Sequence, residues 1–78
     1  MVDLTKTLHD IAAAIVDQPE EIHIEQTEEE DTITLVLTVA PDDMGLVIGK
    51  HGKIAKAIRL LMKAAGSSSN KRINIEIK

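Results

Sequence analysis

The 78-residue chain contains no cysteine and no phenylalanine, tyrosine or tryptophan. Without cysteine it can form neither a disulfide framework nor a thiolate metal site. Without aromatic side chains, a core must be built from Ile, Leu, Val, Met and Ala. The same absence removes the stacking platforms on which many proteins hold unpaired nucleic-acid bases.

Long apolar runs are missing as well. No stretch approaches the ~20 apolar residues of a membrane-spanning helix, and no signal-peptide pattern opens the chain. The length suits one small domain. We therefore expect residues 1–78 to form a single domain that is cytoplasmic and has no membrane partner.

Basic residues are scarce in the first part of the chain. Residues 1–43 carry twelve acidic side chains and one basic side chain, Lys6, whereas residues 44–78 carry eight basic side chains and one acidic, Glu76. The overall charge of −4 conceals this division. The division predicts one surface suited to an anionic partner and another that repels it. Uneven scatter by chance is the plainer alternative.

Hydrophobic periodicity predicts the element order α-β-β-α-α-β. The first helix is stopped by Asp17-Gln18-Pro19, and the first two strands are joined as a hairpin by an acidic turn at 27–31. Asp42 or Asp43 is the expected N-cap of the second helix. The predicted elements are helix 4–16, strands 21–27 and 32–40, a short helix that starts after the aspartate cap and ends at about residue 48, helix 53–65, and strand 72–78.

Each predicted strand has one apolar face and one mostly polar face, so the sheet should be covered on one side only. Three helices are available to cover it. The expected fold is an α+β two-layer sandwich, with a three-stranded sheet under three helices.

The helix at 53–65 has two contrasting faces. An apolar sector predicted to face the core contains Ile54, Ile58, Leu61 and Ala65. A basic sector on roughly the opposite side contains Lys53, Lys56, Arg59 and Lys63. An ordinary solvated helix face would also explain the basic sector.

Directly before this helix, two glycines enclose a lysine and a histidine in Gly49-Lys50-His51-Gly52. Glycine permits positive φ and the close approach of another chain. Bare N–H groups and cationic side chains before a helix suit an anion, most simply a phosphate. Turn and basic sector together predict a continuous cationic strip.

The stretch Val47-Ile48-Gly49-Lys50-His51-Gly52 resembles the Gly-x-x-Gly motif of KH domains. The element order is similar to the type II form of that fold, and the whole chain resembles the small stand-alone bacterial KH proteins. The resemblance implies a mixed sheet, with strand 32–40 in the centre, the last strand parallel beside it and strand 21–27 on the other edge.

In KH domains the Gly-x-x-Gly loop clamps the backbone of about four single-stranded nucleotides. The resemblance therefore implies RNA as a partner. It implies that the two glycines admit the phosphates, that the loop and helix cations face the strand, that the two residues before the loop line an apolar groove, and that the second strand forms the opposite wall. The implied RNA-binding residues are Val47, Ile48, Gly49, Lys50, His51, Gly52, Lys53, Lys56 and Arg59.

Two positions depart from the family pattern. Ala55 stands where many KH domains carry a large aliphatic residue, which puts the packing of the helix in question. The acidic turn occupies the variable loop of the family, where it is expected near the groove and would repel or steer RNA.

A small apolar patch lies beside the basic sector and contains Ala57, Leu60 and Ala64. It predicts a helix-to-helix dimer contact, although Leu60 at the edge of the core would explain it too. Small stand-alone KH proteins self-associate and pair with a larger KH-containing protein, so the resemblance implies a homodimer and possible pairing of that kind.

Catalytic and metal chemistry find little support. Gly45 and Gly49 are separated by three residues rather than the four of a phosphate-binding loop, and His51 follows Lys50 where Ser or Thr is needed. The three histidines lie on different elements without ligand spacing. We therefore predict a non-enzymatic protein without metal or cofactor. It is either an RNA chaperone or post-transcriptional regulator, or an interaction module in which RNA is secondary or absent.

Overall fold

The computed structural model describes residues 3–78 and confirms the predicted order of elements. Residues 1 and 2 of the predicted domain lie outside the described residues. Short 3-10 turns at Pro19–Glu21, Pro41–Asp43, Lys50–Gly52 and Ser67–Ser69 connect the elements. The helices and strands are α1 (Leu4–Ala13), β1 (His23–Glu28), β2 (Thr32–Thr38), α2 (Met44–Ile48), α3 (Lys53–Ala65) and β3 (Arg72–Ile77).

The three strands form one mixed sheet in the order β1-β2-β3. β1 runs antiparallel to β2, with Ile24 opposite Leu37. β3 runs parallel to β2, with Ile75 opposite Leu35. The strand order implied by the KH resemblance is therefore confirmed.

One face of the sheet carries the core and the other stays open. Ile33, Leu35 and Leu37 of β2 are at most 5% exposed, while the alternate residues of that strand are more accessible. The helices cover the apolar face, which confirms the two-layer sandwich. They bury Leu4, Leu8 and Ala12 from α1, Val47 from α2, and Ala55, Ile58 and Met62 from α3.

The rotation of α3 differs from the predicted one. Ile58 is buried as expected, but Ile54 is 38% exposed and Leu61 is 54% exposed. Ala55 and Met62 take their places in the core. At 100° per residue the buried sector is turned by about 50° from the predicted one. The small Ala55 thus points inward and the bulkier Ile54 lies at the surface.

Several element ends differ from the predicted ones. α1 stops at Ala13 rather than residue 16, because the N–H groups of Ile15 and Val16 both turn back to the carbonyl of Ala12. β1 begins at His23 because the preceding residues form the 3-10 turn that starts at Pro19. β2 ends at Thr38, the last residue paired with β1, so residues 39 and 40 lie outside the strand.

Asp43 occupies the expected N-cap position of α2, but without the expected capping bond. Its carboxylate Oδ2 instead accepts from the backbone N–H of Gln18 at 3.0 Å. The residue is 2% exposed, so this contact fastens the segment after α1 to the start of α2.

A further observation concerns membranes. Within residues 3–78, each helix falls short of the length and apolar content that crossing a bilayer would require.

Candidate nucleic-acid interface

The first glycine of the loop is required by the fold itself. Gly49 has φ +75° and ψ 172°, a conformation that is essentially restricted to glycine. A Cβ at this position would lie 2.8 Å from Ile54 Cβ and 2.9 Å from Ile54 N. Since real side chains do not pack so closely, any other residue would push α3 away from α2.

The second glycine lies in open space. Gly52 also has φ +75°, in the left-handed helical region, but a Cβ there would meet nothing within 4 Å among the described residues. His51, with φ 60° and ψ 22°, has the left-handed conformation as well. The chain thus curls tightly over Lys50–Gly52 and leaves its outer side accessible to a ligand.

The curl leaves backbone donors at the entrance to α3. The N–H of Gly52 donates to the carbonyl of Gly49 at 3.1 Å, which is the first bond of this turn. The N–H groups of Lys50 and His51 precede that bond, and neither donates to another group in residues 3–78. Both residues are exposed, at the end of α3 where the helix dipole favours an anion.

Within residues 3–78, the cations of the loop and of α3 have no carboxylate partner. In the part of the chain that the structure describes, the ion pairs of basic side chains involve Lys6, His9 and Lys71. The exposed cations of the loop and of α3 that remain for a ligand are Lys50, Lys53, Lys56, Arg59 and Lys63; Arg72 and Lys78 of β3 are exposed and outside these ion pairs as well.

Arg59 shows which way the basic side of α3 faces. Its Nε donates to the carbonyl of Ile75 on β3 at 3.4 Å. Lys56 and Lys63 lie on the same flank of the helix, three residues before Arg59 and four after it. The basic flank of α3 therefore borders β3.

β3 is an edge strand of the sheet, and its outer backbone edge lies toward this flank. The N–H of Lys78 donates to β2 at Leu37, and the N–H of Arg72 donates to Asp31. Because the pattern alternates along a strand, Asn74 and Glu76 also face β2, and the backbone groups of every second residue, starting at Ile73, point away from it. The β3 residues whose backbone N–H and C=O groups face outward are Ile73, Ile75 and Ile77.

This arrangement corrects the expected opposite wall of the groove. β2, the second strand, is paired on both sides and has no free edge. The strand beside the basic flank of α3 is β3, whose Ile75 carbonyl accepts from Arg59. The KH resemblance implied the second strand, and the periodicity of a strand does not by itself show which strand lies beside α3.

The two residues predicted to line the apolar groove, Val47 and Ile48, differ in their exposure. Val47 is fully buried, so its expected contact with bases is wrong, and its side chain instead supports the loop from within the core. Ile48 is 40% exposed and lies at the surface directly before Gly49. The structure thus brings together the loop, Ile48 and the basic side of α3, but not Val47.

The acidic turn lies farther from the loop than expected. The carbonyl of Asp31 accepts from Arg72 N–H, and Glu28 pairs with Lys71, just after the carboxyl end of α3. The loop stands at the opposite end of this 13-residue helix, about 20 Å away along the axis. The expected repulsion of a ligand beside the loop is therefore weaker than the sequence suggested.

The outer face of α3 is apolar over a wide sector. Leu60 is 70% exposed, so its interpretation as an edge residue of the core is wrong. The exposed Ile54 and Leu61 extend the predicted patch of Ala57, Leu60 and Ala64, which is itself exposed throughout. The sequence analysis assigned Ile54 and Leu61 to the core and so missed them as surface residues. Ala55 and Met62 lie on one side of the helix and would have allowed the alternative rotation of α3 that the structure shows.

No grouping of three potential metal-ligating His, Asp or Glu side chains occurs within residues 3–78. At the loop, His51 has lysines as neighbours rather than further metal-ligating side chains.

An α-β-β-α-α-β chain with parallel β2 and β3, and a Gly-x-x-Gly loop between α2 and α3, has the fold and the loop of a type II KH domain. The family model described as KhpA/KhpB, KH domain matches residues 5–77. The chain belongs to the KhpA/KhpB family of KH domains.

Individual relatives agree with this assignment. The chain is 53% identical over 70 residues to the RNA-binding protein KhpA of Oceanobacillus iheyensis, covering 90% of this chain and 93% of that protein. It is 51% identical to KhpA of Clostridium perfringens, covering 86% and 89% of the two chains. It is 47% identical over 77 residues to KhpA of Caldanaerobacter subterraneus, covering 99% of both. The resemblance to small bacterial KH proteins is therefore confirmed.

Proposed function

We propose that the protein binds single-stranded RNA without catalysing a reaction, as a cytoplasmic RNA chaperone or post-transcriptional regulator. The observation that carries the proposal is the loop, where two backbone N–H groups without an acceptor in residues 3–78 lie in one exposed turn beside cations that are not ion-paired. The relatives that match most of the chain are named RNA-binding proteins, which supports the same ligand.

In the proposed complex the loop holds the phosphate backbone. The N–H groups of Lys50 and His51 donate to phosphate oxygens, and Gly52 admits the backbone because no side chain stands in its way. Lys53 and Lys56 extend the contact along α3 as charge-assisted donors.

The bases lie between the loop and β3. Ile48 gives them an apolar surface, and the outward N–H groups of Ile73 and Ile75 can donate to base edges. Arg59 spans the floor between α3 and β3, where its remaining guanidinium donors are available. Backbone groups discriminate little among bases, and stacking side chains are absent from the sequence, so this groove should bind weakly and with low sequence preference.

The direct test is Lys50→Asp combined with His51→Asp. Both residues are exposed and outside the core, so circular dichroism should show an intact fold, while two carboxylates now face the phosphates. Fluorescence anisotropy with a labelled unstructured RNA should show binding abolished. The matched control is Lys6→Asp, an exposed lysine on α1, which should leave affinity unchanged. Equal affinity of the double variant and the native protein would overturn the proposal.

A second candidate function is that of a pairing module, in which the fold mainly serves dimerisation and RNA binding is secondary or absent. The exposed apolar face of α3 favours it, because Leu60 and Leu61 are each more than half exposed. A second copy, or a larger KH-containing protein, would cover this face. The joint family name KhpA/KhpB is in keeping with pairing of the latter kind.

Leu60→Glu tests the pairing. It places a charge in the centre of the apolar face, so a native dimer should become a monomer in size exclusion with light scattering. Ala14→Glu, at an exposed position at the end of α1, is the control and should leave the mass unchanged. A native protein that stays monomeric at high concentration would remove the homodimer.

A further inference from the structure

The outer edge of β1 is a second free strand edge, remote from the proposed RNA groove. Glu29 N–H donates to Thr32 O at 2.7 Å, so the hairpin bonds fall on every second residue before Glu29. By that alternation the backbone groups of Ile24, Gln26 and Glu28 point away from β2. They form a row of donors and acceptors to which another strand can pair.

A groove runs beside this edge, between β1 and α1. It has a volume of about 330 Å³ and is lined by Asp3, by Thr5, Lys6 and His9 of α1, and by Ile22 and Ile24. The Oγ1 hydroxyl of Thr5 donates to Gln26 Oε1 at 2.8 Å and holds helix and strand together. Free strand edges beside a helix are places where extended peptides add as an extra strand.

The charge around the edge selects the peptide. Residues 3–31 contain ten acidic side chains against Lys6, and Lys6 is already paired with Asp10 at 2.9 Å. Of the side chains on the open face of β1, Glu25 is exposed and has no ion-pair partner among the described residues. RNA would be repelled here, whereas a basic segment would be attracted.

We propose that the outer edge of β1 takes up an extended segment of a partner protein in which basic and apolar residues alternate. Successive side chains of an added strand point to opposite sides. One set would enter the groove beside Ile22 and Ile24, which suits apolar residues. The other set would lie on the open face beside Glu25, which suits lysine or arginine.

The experiment titrates ¹⁵N-labelled full-length protein with the peptide acetyl-Arg-Val-Arg-Val-Arg-Val-amide. The amides of Ile24, Gln26 and Glu28 should shift and should exchange with solvent more slowly, because they become donors in the new ladder. The control peptide acetyl-Arg-Pro-Arg-Pro-Arg-Pro-amide keeps the charge but has no proline N–H to pair. It should bind more weakly and leave those three amides unprotected.

Two variants separate backbone pairing from charge. Gln26→Pro removes an outward N–H without removing a bond to β2, and should weaken binding about fivefold. Gln26→Ala is its matched control, since it loses the Thr5 bond but keeps the N–H, and should bind as the native protein does. Glu25→Lys should weaken binding about threefold.

The results of these titrations distinguish a partner segment on the β1 edge from the other possibilities. Equal binding of the two peptides would overturn the proposal in favour of diffuse charge attraction. Protection at Ile73 and Ile75 would overturn it in favour of the β3 edge. Protection at Ile24 and Gln26 in the peptide-free protein, increasing with concentration, would assign the edge to a second copy and overturn the partner segment.

Discussion

The side of the domain formed by the loop, α3 and β3 differs from the side formed by α1, β1 and the acidic turn. Among the described residues, the first side carries cations outside any ion pair and the Gly49–Gly52 loop, in which two backbone N–H groups have no acceptor. The second side carries most of the acidic residues, and two of them pair with the lysines Lys6 and Lys71. A net charge of −4 would suggest a protein that avoids RNA.

For RNA binding by such a small domain, we expect the location of charge to outweigh its total. The acidic turn lies about 20 Å along α3 from the loop, roughly two screening lengths at physiological salt. The acidic side therefore repels little at the loop itself. In the proposed complex it would exclude RNA from its own surface and so direct the strand to the other side.

The largest expected effect is on the free energy of unfolding when the glycines of the loop are replaced. It tests whether packing holds the loop on the basic side in one conformation. Gly49→Ala combines a disallowed conformation with a clash against Ile54, and should lower the free energy of unfolding by about 3 kcal/mol. Gly52→Ala meets no atom and should cost about 1 kcal/mol. Gly45→Ala, within α2 and in open space, should stabilise by about 0.5–1 kcal/mol. Urea denaturation measures all three, and equal effects would mean that the loop is not held by its packing.

Charge reversal compares the two sides directly. Lys53→Glu with Lys56→Glu should lower RNA affinity roughly a hundredfold, because each charge-assisted hydrogen bond to phosphate contributes about 1.5 kcal/mol. Glu20→Lys with Glu21→Lys makes an equal and opposite change in net charge on the acidic side. It should raise affinity by less than about threefold. Similar effects from both pairs would show that only total charge matters.

Salt dependence tests the basic side by itself. If Lys50, Lys53, Lys56 and Arg59 neutralise four phosphates, raising salt from 50 to 200 mM should lower affinity about fiftyfold. Anisotropy titrations at several salt concentrations give the slope. A flat response would be incompatible with binding that is made mainly to the phosphate backbone.

The smallest effect is expected on the acidic side. A hydrogen bond from Lys6 lowers the pKa of Asp10, and the same bond raises the pKa of Lys6. The pair would stabilise the fold from above pH 4, where Asp10 is ionised, until Lys6 loses its proton near or above pH 10.5. Both groups are fully exposed, so solvent screens the pair. Asp10→Asn should leave the urea midpoint at pH 7 unchanged, and a clear fall would show that this pair supports the fold.

The strands were predictable because apolar and polar residues alternate along them, which allows only one face of the sheet to be buried. Ile33, Leu35 and Leu37 can all be buried on one face only, and the structure buries them there. The loop was predictable because two glycines around Lys50 and His51 stand directly before a helix. The order of the strands came from the family resemblance, since alternation does not show which strands are neighbours.

The rotation of α3 was not predictable from periodicity. Apolar residues occur on several sides of this helix, so a sector centred on Ile54 and Leu61 fits as well as one containing Ala55 and Met62. Contacts distant in sequence, such as Arg59 with Ile75, accompany the observed rotation. The bond from Gln18 to Asp43 is equally non-local, and local sequence favoured a helix cap instead.

The proposed RNA groove is tested most sharply by titrating ¹⁵N-labelled protein with RNA and following the amide chemical shifts. The largest shifts are expected at Lys50 and His51, with a second group at Ile73 and Ile75 on the free edge of β3. The amides of β1 and of the acidic turn should stay in place. Shifts confined to α1 and β1, or an unchanged loop at saturating RNA, would place the RNA elsewhere and refute the groove.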